Sequence, residues 1–152
     1  MIVAFTGHRP KGLGDDLAGA WIAVKEFLVD SRPEAVISGM AQGVDTFAFD
    51  VAVELGIPVT AAVPWSGHGS TWPLEEQEAY VKRLEKASRV HIVSSIEEYR
   101  PGVEQERNVW MVDNSGLLVT IWNGTTRGGT WNCLQHARRV KRETKFLKWR
   151  GR

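Results

Sequence analysis

The chain has a single cysteine, Cys133, in 152 residues. No internal disulfide can form from it, and nothing stands beside it at metal-ligand spacing, so a reducing compartment, the cytoplasm, is expected and a metal site is not. No apolar run approaches the ~20 residues needed to cross a bilayer. The opening MIVAFTGHRP shows neither a basic leader nor a small-residue cleavage site, and a soluble protein is expected. The motif G-x-x-x-x-G-K-[ST] is absent, which argues against a P-loop nucleoside triphosphatase. No G-x-G-x-x-G follows the first strand, which argues against ordinary dinucleotide binding. With no internal repeat, low-complexity linker or composition break, residues 1–152 are expected to form one domain, long enough to bury most of its apolar surface without staples.

Acid is scarce at the end of the chain. Eight basic residues and one acid, Glu143, lie between Arg138 and Arg152, which leaves 11 basic and 17 acidic residues, a net charge of -6, on residues 1–137. Cations belong in the last turn of a helix and on solvated faces, and that is the plain reading of the segment. The other is contact with nucleic acid or an acidic partner.

What is present alternates regularly. IVAFT (2–6), AVIS (35–38), PVTAAV (58–63), RVHIVSS (89–95) and GLLVTIW (116–122) read as strands, and helical periods separate them. The clearest helix has Val44, Phe47, Ala48, Val51, Ala52 and Leu55 on one face, stopped by Gly56 and Pro58. Further helices run from about Leu74 to Ser88, from the turn at Pro101 and Gly102 to near Asn114, and along TWNCLQHARRVKR, before KFLKW as a short edge strand. Near-continuous apolar strands alternating with helices predict an α/β fold: one doubly wound, mostly parallel sheet with helices on both faces.

In such sheets ligands bind beyond the carboxyl ends of the strands. The loops there are GHRPKGLG, SGMAQGVD, PWSGHGSTWP and NGTTRGGT. Glycine admits positive φ and close backbone approach, and a helix that starts at the end of such a loop aims free N–H groups and partial positive charge at an anion. SGMAQGVD has Gly39 and Gly43 for the turn, a hydroxyl at Ser38, and Asp45 to cap the helix or accept from a sugar hydroxyl. GTTRGGT repeats the design and adds Arg127, so phosphate binding leads. His8 and Arg9 follow the first strand directly, where an arginine can take phosphate bidentately. Arg107 divides between a local salt bridge and the site.

The ordered set GHRP, SGMAQGVDTFA, P-V-x-A-A-x-P-W, RNVWMVDNS and GGT resembles the YpsA-like branch of the SLOG superfamily, which also contains the DNA-processing protein DprA and the LOG-type nucleotide phosphoribohydrolases. The resemblance covers nearly the whole chain. It implies a Rossmann-like domain whose glycine loops hold nucleotides, nucleotide derivatives or single-stranded DNA, and it carries an expectation of dimers. The ligand-binding candidates are Gly7, His8 and Arg9; Ser38, Gly39, Met40, Gly43 and Asp45; Pro64 and Trp65; and Gly124, Thr125, Arg127, Gly128, Gly129 and Thr130. No resident cofactor is expected beyond the nucleotide-like ligand itself.

In the phosphoribohydrolases the second loop is P-G-G-x-G-T-x-x-E, and its glutamate serves catalysis. Here Asn123 and Gly124 replace the proline-glycine pair, and Cys133 stands where the glutamate would be. Substitutes are Asp45, Glu76 and Asp113, with Glu75 beside them, although Glu75 and Glu76 are more simply first-turn helix acids. Cys133 reads as a small core residue. His68 reads as solvated, and His91 and His136 stand at no metal-ligand spacing. Trp65, Trp72, Trp122 and Trp131 flank the loops, where they either stack on a base or pack between sheet and helices; Trp65 is the first choice for stacking.

Three functions follow. The first is a sensor, sequestering or regulatory protein that binds a nucleotide or ADP-ribose-like ligand. The second is a hydrolase or transferase at an N-glycosidic bond. The third is single-stranded DNA binding, drawing on the basic segment and the tryptophans and opposed by the acidic body.

Overall fold

The computed structural model describes residues 1–14 and 16–149. Six strands, β1 (Ile2–Gly7), β2 (Ala35–Ser38), β3 (Val59–Val63), β4 (Arg89–Ile92), β5 (Leu117–Ile121) and β6 (Thr144–Phe146), alternate with α1 (Leu17–Ser31), α2 (Val44–Leu55), α3 (Leu74–Lys86), α4 (Val103–Asp113) and α5 (Gly129–Arg139). A 3-10 turn, Pro10–Leu13, follows β1. All pairings are parallel, in the order β4-β3-β2-β1-β5-β6. The α/β fold expected from the strand–helix alternation is the fold observed. The chain lays down β1 to β4 in one direction, then returns to place β5 on the other side of β1. The β1–β5 boundary is therefore the switch point, and Gly7 lies level with Ile121 there.

Burial sorts the helices into two layers. Val24 and Leu28 of α1, Phe49 of α2 and Tyr80 of α3 pack with Phe5, Val36 and Val63 on one face. Met111 and Val112 of α4 and Cys133 and Ala137 of α5 pack with Ala4, Ile37 and Leu118 on the other. Caps set the lengths. Asp16 accepts from the Gly19 N–H at 3.0 Å to open α1, and Gly56, at φ 74°, closes α2.

Several boundaries differ from the sequence reading. α3 ends at Lys86 rather than Ser88, because the Ser88 N–H and Oγ both bond to Val59 of β3. Strand four stops at Ile92, where Ser94 Oγ accepts the Ile96 N–H in a tight turn. Val90 and Ile92 remain 42% and 47% exposed, since β4 is an edge strand with no strand beyond it. α5 ends at Arg139, so Val140 leaves the stripe of Cys133 and is exposed. Arg138 and Arg139 occupy the last turn of α5, as the dipole favours; Arg150 and Arg152 of the basic segment lie outside the described residues. No helix among the described residues is long and apolar enough to cross a membrane.

Candidate functional site

The loops after β1 and β5 leave the sheet side by side and are stapled together. The Asn123 N–H donates to His8 Nε2 at 3.0 Å, and Asn123 Nδ2 donates to the Gly12 carbonyl at 3.1 Å. Nε2 is thus an acceptor, and burial lowers the pKa of His8, which keeps the imidazole neutral. The His8 carbonyl in turn accepts the Val44 N–H at the start of α2. Gly43 makes that approach feasible: its φ is 99°, and a Cβ there would lie 2.2 Å from the His8 carbonyl oxygen.

The β2–α2 loop is organised from within. Ser38 is fully buried; its hydroxyl donates to the Asp45 carbonyl at 2.7 Å and accepts the Met40 N–H at 3.2 Å. Asp45 Oδ2 accepts the Ala41 N–H at 3.3 Å, whereas Oδ1 is buried with no partner among the described residues. From α4, Arg107 reaches across to donate Nη1 to the Gly39 carbonyl and Nε to Asn108 Oδ1. A Cβ on Gly39 would lie 2.8 Å from Asp45 Oδ2 and 2.9 Å from Arg107 Nη1, so that position has room only for hydrogen. Asn108 Nδ2 donates to Gln105 Oε1 and to the Gly129 carbonyl, which ties α4 to the start of α5.

These contacts enclose a cavity of about 510 Å³ at the switch point. Gly7, His8 and Arg9 border it at the end of β1, Ala41 and Asp45 around the start of α2, Gly102, Glu104, Arg107 and Asn108 around the start of α4, and Arg127, Gly128, Gly129 and Thr130 around the start of α5. α4 at Gly102 and α5 at Gly128 begin at it, and α2 reaches it through Asp45 in its first turn; none of the three has a side-chain cap on its first N–H groups, and in α2 the Val44 N–H is taken by the His8 carbonyl. Three arginines face two carboxylates, Asp45 and Glu104, so charge and helix dipoles together favour an anion. Burial pushes the Asp45 carboxyl up to about 6, against the opposing pull of Arg107, the Ala41 N–H and Arg9.

Of the sequence candidates, Gly7, His8, Arg9, Asp45, Arg127, Gly128, Gly129 and Thr130 meet at this cavity. Ser38, Gly39, Met40 and Gly43 do not line it; they build the loop behind it, and Met40 is a fully buried core side chain at φ 63°. Pro64 is buried. Trp65 lies away from the cavity with its ring on the edge of Tyr99, centroids 5.9 Å apart. Gly124 and Thr125 are outside it, and the Thr125 carbonyl accepts from Trp122 Nε1 at 2.9 Å. Trp122 and Trp131 stack on each other, 5.5 Å apart, and Trp72 packs against His68 and Tyr80.

Among the carboxylate substitutes only Asp45 borders the cavity. Glu76 sits in the exposed first turn of α3, and Asp113, at the far end of α4, pairs with His136 Nε2 at 2.9 Å. His68, read from sequence as solvated, is instead packed between Trp72 and Tyr80, with Nδ1 3.1 Å from the Tyr80 hydroxyl. Burial, helped by Arg107 and Arg9, pushes its pKa down to about 3. Cys133 is a core residue, and burial pushes its thiol up to about 12. Among the described residues no three histidine, cysteine, aspartate or glutamate side chains cluster to hold a metal.

Sequence reasoning missed Ala41, Glu104, Asn108 and Asn132, and left Arg107 open. The loops after β1, β2, β3 and β5 carry dense glycine and polar signals, whereas the one after β4 announces itself only by Pro101 and Gly102, where a helix begins.

A family model described as the YspA SLOG family matches residues 22–149. A prophage-derived protein of Bacillus subtilis strain 168, YoqJ, is 26% identical over 89 residues, 52% of this chain and 52% of that protein. The chain thus spans about half the length of the curated relative it matches. The DNA-processing protein A (DprA) of Streptococcus pneumoniae superposes with a TM-score of 0.65 at 18% identity, over 93% of this chain and 48% of that one. DprA of Helicobacter pylori, whose structure concerns single-stranded DNA binding, gives 0.66 at 16% identity, over 95% and 63%. The molybdenum cofactor carrier protein of Chlamydomonas reinhardtii gives 0.59 at 17% identity, over 94% and 73%.

Proposed function

The chain belongs to the YspA SLOG family, and from that premise we propose that it binds a phosphate-bearing, nucleotide-derived ligand at the switch-point cavity, as a sensor, sequestering or regulatory protein. The observation that carries this reading is the convergence of three uncapped helix starts and three arginines on one cavity. Backbone N–H groups at helix starts recognise phosphate or pyrophosphate, and the arginines neutralise it. The volume falls within the ~300–1,000 Å³ range of small-molecule sites. Relatives of this fold are described as binding single-stranded DNA or carrying molybdenum cofactor, and phosphate is chemistry that both ligands share.

The test is thermal-shift screening of nucleotides, ADP-ribose and short single-stranded DNA, after native mass spectrometry of protein purified without added nucleotide. A stabilising phosphate ligand whose effect shrinks in Arg127→Ala supports the reading. Failure of every ligand to stabilise at millimolar concentration overturns it.

One observation favours a second reading, hydrolysis at an N-glycosidic bond. Asp45 is a buried carboxyl in the cavity with its pKa pushed up to about 6, which suits a general acid near neutral pH. Glu104 is the second carboxylate there. Release of free base from a nucleotide panel is its signature, and a panel left intact rejects it.

A further inference from the structure

Asp45 stands out among the cavity's walls. It is only 6% exposed, Oδ2 is occupied by the Ala41 N–H, and Oδ1 has no partner among the described residues. A buried acceptor left idle costs about 1–3 kcal/mol and calls for a compensating contact. What holds the carboxylate charged is its surroundings: Arg9 before the 3-10 turn and Arg107 on α4 act on it directly, and the Ala41 N–H is bonded to it. The other charged or titratable groups around the cavity are Arg127 before α5, Glu104 on α4 and His8 after β1. His68, in the β3–α3 loop, senses the same two arginines, and the buried Cys133 thiol of α5 senses Asp45 itself.

An anion in the cavity changes that balance. Its charge cancels the field of Arg9 and Arg107 at Asp45 while leaving the burial that opposes ionisation in place. We propose that Asp45 takes up one proton from solvent when an oxyanion ligand enters the cavity. The ligand keeps its charge, and the one bond made is the O–H of Asp45. The affinity of the site for an anion thereby rises as pH falls. The proposal rests on reading the cavity as an anion site.

ADP-ribose is the probe, because its pyrophosphate diester has no ionisation of its own near neutral pH. His8 and His68 are both held neutral there by lowered pKa values. Calorimetric titration of the full chain in buffers of different ionisation enthalpy counts the protons taken up. The expected result near pH ~7 is about 0.5–1 proton per ligand, with affinity falling several-fold per pH unit between about pH 6 and 8, toward the ~tenfold limit for one linked proton.

Asp45→Asn keeps an oxygen for the Ala41 N–H and is permanently neutral. It should bind with no proton uptake and a flat pH profile, and more tightly than the parent at the alkaline end. Binding by the parent with no proton uptake overturns the proposal and leaves the anion site standing. Uptake that persists in Asp45→Asn overturns it too, by placing the proton elsewhere. Absence of ADP-ribose binding at any pH removes both the proposal and, together with silence across the nucleotide panel, the reading beneath it.

Discussion

His8 and Asn123 lie 115 positions apart in sequence, yet the Asn123 N–H donates to His8 Nε2 at 3.0 Å. The bond closes the seam between β1 and β5, where the strand order reverses. His8→Ala leaves that N–H and the enclosing loops without their acceptor. A loss of about 1–2 kcal/mol is expected in urea unfolding, together with weaker ligand binding; unchanged stability shows that the loops hold by other means.

Gly43 and Gly56 offer a paired comparison. Both have positive φ, 99° and 74°, but a Cβ on Gly43 would lie 2.2 Å from the His8 carbonyl whereas one on Gly56 meets nothing within 4 Å. Gly56→Ala should cost only the left-handed strain of roughly 1–2 kcal/mol. Gly43→Ala adds displacement of the β1 loop and should cost clearly more, read as the difference between the two melting temperatures. Equal losses argue that the loop moves aside freely.

Arg127 and Arg107 face the same cavity with different structural burdens. Arg127 is exposed, so Arg127→Ala should leave thermal stability unchanged and weaken binding of a phosphate ligand about tenfold, a difference of ~1.4 kcal/mol. Arg107 is buried and bonded to the Gly39 carbonyl, so Arg107→Ala should lower both stability and affinity. Calorimetric titration beside differential scanning calorimetry separates the two effects, and a stability loss in Arg127→Ala contradicts its placement.

Acid should act on His68 and Asp45 in opposite directions. His68 has its pKa lowered from 6.5 to about 3 in the folded chain, so the unfolded chain protonates first and stability is lost as pH falls from about 6.5 toward 3. Asp45 has its pKa raised from 3.8 to about 6, so the folded chain protonates first and stability is gained as pH falls from about 6 toward 3.8. His68→Gln should therefore flatten the acid-side loss, and Asp45→Asn should steepen it. Urea midpoints collected across this range check both signs.

Cys133 should resist alkylation in the folded protein, with a fully buried thiol pushed up to about 12. Labelling by iodoacetamide is expected to track unfolding in denaturant. Rapid labelling under native conditions contradicts the burial.

The fold was legible because its signals are local: Val44, Ala48, Val51 and Ala52 carry the period of one helix face, and the strands are short apolar runs between turn formers. The phosphate loops were legible for the same reason, glycines at the junction of a strand and a helix. Which loop residues face a ligand was not. Ser38 sits in the loop that the motif marks, but its hydroxyl is consumed by the Asp45 carbonyl and the Met40 N–H. Arg107 and Asn108 come from a helix that no glycine motif marks out, and only the folded chain brings them to the cavity. His68 misled because a loop rich in glycine and serine suggests solvent, whereas Trp72 and Tyr80 bury it.

The three uncapped helix starts belong to both layers, α2 on one face of the sheet and α4 and α5 on the other. A molecule that accepts their remaining free amides fastens the two layers to each other across the end of the sheet. Occupancy should then be visible in hydrogen–deuterium exchange, with the opening turns of all three helices slowing together although they are far apart along the chain.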